Sequence, residues 1–296
     1  MAQEKIVNTI KNEENVEMKY YATNKVYICG DKIYIKSIKS KRSITPKTIN
    51  TGNGFYCNRI TGEVKPFKKK TVRKVNMDVF FTIKRIIEAN FSGGSNELFI
   101  TLTYFSTMND AVKLQNDFKA FWRKFKRKYA NCEYLKIVEL NKQKSFHIHL
   151  LLKDKTNKVL FIPNDKLITM WENGNVNVQR IKSLKGLQNY FLPSRNASKK
   201  ACDKFNLIKE YPHGFNIYSK SKGIYVPKPI EMPLEEIEKL ICNYNNVYSQ
   251  TKCIILTDEE GNKRLLNIIG FQEYVYNDSL LNQISKPELS EKGEEV

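Results

Sequence analysis

Two of the chain's three histidines stand one residue apart in the stretch Ser145-Phe146-His147-Ile148-His149-Leu150-Leu151-Leu152. A short apolar run holding a β-branched residue predicts a strand, and in a strand alternate side chains leave on the same face. His147 and His149 then point the same way, ~6.5–7 Å apart along the strand, while Ile148 and Leu150 turn into a core. Any fold the chain adopts must bury one face of this strand and keep the other for two imidazoles. Such a pair can line a half-buried polar face, or it can hold one metal ion.

The residues just upstream bear on that choice. Tyr134-Leu135-Lys136-Ile137-Val138-Glu139 reads as a second strand ending in a carboxylate, and a short polar loop, residues 141–144, follows it. A hairpin here returns Glu139 beside His147 and His149. Two imidazoles and one carboxylate suit a divalent metal, Mg²⁺ or Mn²⁺, with positions left open for a substrate oxygen. Zinc is less favoured, because no cysteine pair lies close by.

Glu139, the polar loop and His147-Ile148-His149-Leu150-Leu151 together resemble the metal motif of the HUH endonucleases, in particular the rolling-circle replication initiators (Rep proteins). Phe99-Ile100-Thr101-Leu102-Thr103-Tyr104 resembles their first motif. Trp171-Glu172-Asn173-Gly174-Asn175-Val176-Asn177-Val178 resembles the W-x-x-G-x-V-x-V segment that many members carry. The ordered series runs from about residue 87 to residue 223. It implies an α+β fold with an HUH-type core: a central antiparallel β-sheet with flanking helices, ferredoxin-like or RRM-like.

The same resemblance implies an activity. It is sequence-specific, metal-dependent nicking and joining of one DNA strand at a plasmid or phage origin, through a 5′-phosphotyrosine intermediate that leaves a 3′-OH primer. A tyrosine phenolate is a nucleophile that stays attached to its product. With 16 tyrosines in the chain, residue type alone selects none. Position in the helix after the V-x-V strand, as in the third Rep motif, selects Tyr190. The competitor is Tyr218, which has Lys222 four residues on. The family places a lysine three residues after the tyrosine, often followed by a second tyrosine, whereas Pro193 and Ser194 stand here. Lys185, Arg195 or Lys199 would then supply the positive charge, and the single-tyrosine type is implied. Two rival readings are a single-tyrosine HUH transposase and a non-catalytic, single-strand DNA-binding replication regulator.

Charge points to the partner independently. Lys and Arg number 50 against 31 Asp and Glu, and the excess is uneven. Through Pro229 there are 44 basic and 18 acidic residues, a balance of +26; the remainder has 6 against 13, or −7. A basic body with an acidic tail calls for a polyanion, with single-stranded or stem-loop origin DNA as the first candidate. No apolar run approaches the ~20 residues of a membrane span, and no membrane partner is expected. The N-terminus lacks the apolar stretch of a secretory signal. Six scattered cysteines without a C-x-x-C read as free thiols in a reducing cytoplasm, that of a bacterial host. The P-loop pattern G-x-x-x-x-G-K-[ST] is missing from the sequence, so a host helicase and a host DNA polymerase are expected partners.

Three parts follow along the chain: an N-terminal β-hairpin and basic extension at 1–74, a nuclease core at 75–229, and an acidic C-terminal appendage with a disordered end at 230–296. Residues 1–22 read as frayed or loosely helical, and 40–54 as a long loop. Lys65, Lys68, Lys69, Lys70, Arg73 and Lys74 form either a solvated face or a phosphate-tracking strip. In the core, residues 75–90 carry helical apolar spacing, and 97–104 form a strand with Thr101 and Thr103 on a polar, ligand-facing side. A helix capped by Thr107 or Asn109 runs to about Tyr129. It turns Phe118, Phe121, Trp122 and Phe125 inward and presents Arg123, Lys124, Lys126, Arg127 and Lys128 for DNA backbone contacts.

Overall fold

The computed structural model describes residues 5–11, 23–39, 48–66, 77–191, 207, 210–212, 214–257 and 262–277. The chain divides into two compact units, one of residues 1–46 with 227–296 and one of residues 47–226.

In the first unit, β1 (Lys5–Lys11), β2 (Thr23–Cys29) and β3 (Lys32–Ile38) join strands from the other end of the chain. Those are β12 (Ile230–Glu231), β13 (Tyr244–Thr257) and β14 (Lys263–Tyr276), and α5 (Leu234–Ile241) lies between β12 and β13 in sequence. The six strands form one antiparallel sheet in the order β1-β13-β14-β3-β2-β12. This differs from a division at 74 and 229. A two-stranded hairpin is at best marginally stable alone. The β2–β3 hairpin buries Val26, Ile33 and Ile35 by pairing with β14 and packing under Ile237 of α5. Residues 5–11, expected to be frayed or helical, pair with β13. Of the basic cluster, all but Lys65 fall outside the described residues, as do residues 278–296 of the acidic end.

The larger unit opens with a three-stranded meander of β4 (Thr48–Gly52), β5 (Phe55–Asn58) and β6 (Val64–Pro66). A loop was expected over residues 48–52. Gly52 and Gly54 adopt φ of 86° and 82°, a left-handed turn that lets 48–52 fold back onto β5. Then follow α1 (Met77–Asn90), β7 (Glu97–Leu102), α2 (Ala111–Lys128), β8 (Cys132–Leu140), β9 (Phe146–Asp154), α3 (Asn164–Trp171), β10 (Val176–Gln179), α4 (Leu184–Phe191) and β11 (Tyr218–Lys220). The strands form an antiparallel sheet in the order β10-β7-β9-β8-β11. Within it, β7-α2-β8-β9-α3-β10 is a β-α-β-β-α-β unit with its strands in the ferredoxin-like arrangement. The α+β architecture expected from sequence is the one observed.

Two local devices set the frame of this sheet. Asp110 caps α2, its Oδ1 accepting from the N–H groups of Val112 (2.8 Å) and Lys113 (2.9 Å). Thr107 and Asn109, the expected caps, lie too far upstream. The W-x-x-G segment locks the end of β7: the Trp171 indole N–H donates to the Thr103 carbonyl at 2.8 Å. Gly174 packs so tightly on that peptide that a Cβ would stand 1.9 Å from Thr103 O. β10 is thereby held against β7 in the register Val176–Leu102.

One face of the sheet is sealed. Ile100, Leu102, Ile148, Leu150 and Val138 are buried there, and α2 contributes Leu114, Phe118, Phe121 and Phe125. Lys136 shares this face, being paired opposite Leu150. Only 1 % of it is exposed, its Nζ donates to Gln115 Oε1 at 2.8 Å, and it sits 4.3 Å from the Phe118 ring centroid. Among the described residues, no helix is long and apolar enough to cross a membrane.

Candidate active site

The other face of the same sheet carries the polar residues singled out in the sequence, and register alone places most of them. Glu139 on β8 stands directly opposite His147 on β9, and His149 stands opposite Ile137 on one side and Thr101 on the other. Residues directly opposite in an antiparallel pair share a face, so Thr101, Glu139, His147 and His149 all project the same way. The hairpin between β8 and β9 closes as expected, with Lys144 at a positive φ of 58° and Asn141 Oδ1 accepting from Ser145 N–H at 2.8 Å.

The side chains then interlock. The ring nitrogen Nε2 of His149 lies 2.9 Å from Glu139 Oε2, and Nδ1 lies 3.1 Å from Thr101 Oγ1. Tyr190, on α4, donates its phenolic O–H to the same Glu139 Oε2 at 3.0 Å and lies 3.5 Å from His149 Nε2. His149 is only 5 % exposed, whereas 38 % of Tyr190 remains open to solvent. The imidazole is clamped by Phe99, stacked with centroids 5.5 Å apart and planes 12° apart, and by the edge of Phe191 at 5.4 Å. Phe99 was legible as a site residue, because it alternates with Thr101 along β7. Phe191 follows Tyr190 on α4 and carried no signal of its own.

Electrostatics follow from this packing. Burial, and then the adjacent Glu139 carboxylate, push the Tyr190 phenol well above its ordinary value, so with Glu139 ionised the site keeps this tyrosine protonated. Burial, and next the nearby His149, lower His147, which favours its neutral imidazole. Neutral imidazole is the form that ligates metals.

These donors fit a divalent ion in type and orientation. The Thr101 hydroxyl occupies Nδ1 of His149, which turns Nε2 toward Glu139, the arrangement by which an outer hydrogen bond orients a ligating histidine. As the side chains stand, no three His, Cys, Asp or Glu among the described residues are gathered closely enough to hold a metal. Glu139 and His149 instead bond to each other directly.

This stretch of sheet and helix can be compared with known families. Residues 97–194 match the family model of the replication-associated protein ORF2. The match covers about one third of the chain, from β7 through α4, and so contains Thr101, Glu139, His147, His149 and Tyr190. It associates this part of the chain with DNA replication. No curated protein and no solved structure matches the chain.

The remaining sequence candidates lie elsewhere. Tyr218 on β11 is paired with Ile137, which places it a full strand beyond β8 from His149. The Thr103 hydroxyl donates to the Asn175 carbonyl at 3.1 Å and serves the β7–β10 junction. Helix α2 packs on the Lys136 face, so its basic residues stand across the sheet from Tyr190. Of these, Lys124 pairs with Glu172, and Lys126 donates to Cys132 O at 2.8 Å. Arg123, Arg127 and Lys128 are exposed. Lys185 lies within α4, while Arg195 and Lys199 fall outside the described residues. Asn177, missed in the sequence, is paired with Thr101 and so ends the row Asn177–Thr101–His149 on the polar face.

Proposed function

We propose that the chain is a rolling-circle replication initiator of the HUH type. It would nick one strand of stem-loop origin DNA with Tyr190 as the nucleophile and Mg²⁺ or Mn²⁺ at Glu139, His147 and His149. The observation that carries this reading is the Tyr190 phenol, 3.0 Å from Glu139 Oε2 and 3.5 Å from His149 Nε2, on the face that also bears His147. Tyr190 oxygen attacks the scissile phosphorus, the 3′ oxygen leaves and takes up a proton, and the 5′ phosphate remains on the tyrosine. The phenolic proton departs along the hydrogen bond to Glu139. Thr101, Phe99 and Phe191 hold His149 in one orientation, so no reorganisation is needed when substrate arrives. A divalent ion bound by Glu139, His147 and His149 would offset the carboxylate charge that disfavours phenolate and polarise the phosphate. The released 3′-OH would prime a host polymerase, with strand separation left to a host helicase.

A library of stem-loop oligonucleotides incubated with the full chain and Mg²⁺ or Mn²⁺ tests this. The expected products are a free 3′-OH strand and a protein-linked 5′ strand. Binding without cleavage across the library and both metals would favour a non-catalytic, single-strand DNA-binding regulator instead.

A further inference from the structure

The six-stranded sheet of the other unit has two unlike faces. Burial alternates strictly along β3, and α5 seals the face bearing Val26, Ile33, Ile35 and Tyr274. On the opposite face, register builds a lattice across four strands. One row is Lys25–Lys36–Phe271–Gln250 and the next is Tyr27–Tyr34–Glu273–Tyr248. Lys252 sits two positions along β13 from Gln250 and so on the same face. All of these side chains are half-buried or exposed. The Lys36 ammonium lies 5.5 Å from the Phe271 ring centroid.

We propose that this face is a second single-stranded DNA surface, on which Tyr27, Tyr34, Phe271 and Tyr248 stack bases while Lys25, Lys36 and Lys252 meet phosphates. Four aromatic rings on one open sheet face, interleaved with cations at the ~4.8 Å spacing of neighbouring strands, are what a single strand with exposed bases requires. Charge is segregated to match. The acidic residues Glu235, Glu236 and Glu238 belong to α5, against the far face, and Glu273 is the one acid within the two rows. A folded acidic protein would meet the lysines and leave the rings unused. The choice of DNA over RNA rests on the proposed function; the stacking does not.

The test uses the full chain and fluorescence anisotropy with labelled oligo-dT, an abasic strand of equal length and oligo-U. The double variant Tyr34→Ala/Phe271→Ala is expected to bind oligo-dT about tenfold or more weakly and to lose much of the wild-type preference for oligo-dT over the abasic strand. Photocrosslinking of a bromodeoxyuridine strand to the wild type, mapped by mass spectrometry, supplies a readout that does not depend on the variant folding. Crosslinks at Tyr27, Tyr34, Phe271 or Tyr248 are expected. Equal affinity of wild type and a folded variant, crosslinks confined to residues 47–226, or a preference for oligo-U would each overturn the proposal. A chain that nicks no origin yet shows these crosslinks would refute the proposed function and leave this surface standing.

Discussion

The two faces of the five-stranded sheet each bury ionisable groups, and they do so in opposite ways. On the α2 face, Lys136 is almost wholly enclosed, satisfied by Gln115 and set against Phe118, with its pKa lowered to about 8, chiefly by burial. On the other face, Glu139, His149 and Tyr190 share one cluster whose phenol reaches solvent. A closed polar contact rigidifies a core, whereas an open cluster of mutually perturbed groups is where chemistry is expected. Damage to the first face should therefore register as stability, and damage to the second as activity.

The largest expected effect lies on the open face. His147→Ala with His149→Ala should lower cleavage on the order of a thousandfold or more, since several kcal/mol of electrostatic assistance would be lost. Binding of DNA and the melting temperature should stay near wild type. A double variant that fails to fold would show that the histidines belong to the scaffold, and the contrast between the faces would collapse.

Next come two changes on or beside the closed face. Gly174→Ala should cost about 3 kcal/mol or more in denaturant unfolding, because its Cβ would meet the Thr103 peptide and force backbone to move. Lys136→Met sharpens the comparison through pH. The folded pKa of Lys136, about 8, lies below its ordinary 10.5. Between those values the unfolded chain binds more protons than the folded one, so this group's contribution rises with pH across the window. Below about pH 8 both states are protonated and the cost of the buried charge is borne in full. Wild type should therefore gain about 2 kcal/mol relative to Lys136→Met between pH 7.5 and 10, and the variant should be at least as stable as wild type at neutral pH. Cleavage at a fixed pH should be unchanged in Lys136→Met.

The smallest effect tests orientation alone. Thr101→Val removes the hydroxyl 3.1 Å from His149 Nδ1 while keeping the side-chain shape. Cleavage or metal affinity should fall about tenfold, as for other outer hydrogen bonds to ligating histidines, with little change in melting. An equal loss in stability would place Thr101 among the packing residues.

Much of this was legible in the sequence because it depends on local periodicity. The His147–His149 alternation, the hairpin back to Glu139 and the apolar stripe of α2 all follow from periods of 2 and 3.6. Tyr190 was reached by resemblance and then found within hydrogen-bonding distance of Glu139. What stayed hidden depends on pairing between distant segments. Nothing local to residues 23–38 announces that they will pair with residues 263–276, and the division into three consecutive parts followed from that. Nor does the charge on α2 reveal which face of the sheet the helix will cover, so its lysines and arginines read as a DNA strip although they stand across the sheet from Tyr190. The Asp110 cap was passed over for Thr107 and Asn109, although a carboxylate accepting two N–H groups beside a helix start is the stronger partner.

The claim that the open face is a nucleophilic centre rests on one phenol. A stem-loop substrate that the full chain cleaves should be trapped as a protein–DNA adduct, digested with a protease and sequenced by mass spectrometry. The nucleotide is expected on Tyr190, with no adduct from Tyr190→Phe although that variant still binds the oligonucleotide. An adduct mapped to Tyr218, or one that persists in Tyr190→Phe, would contradict it.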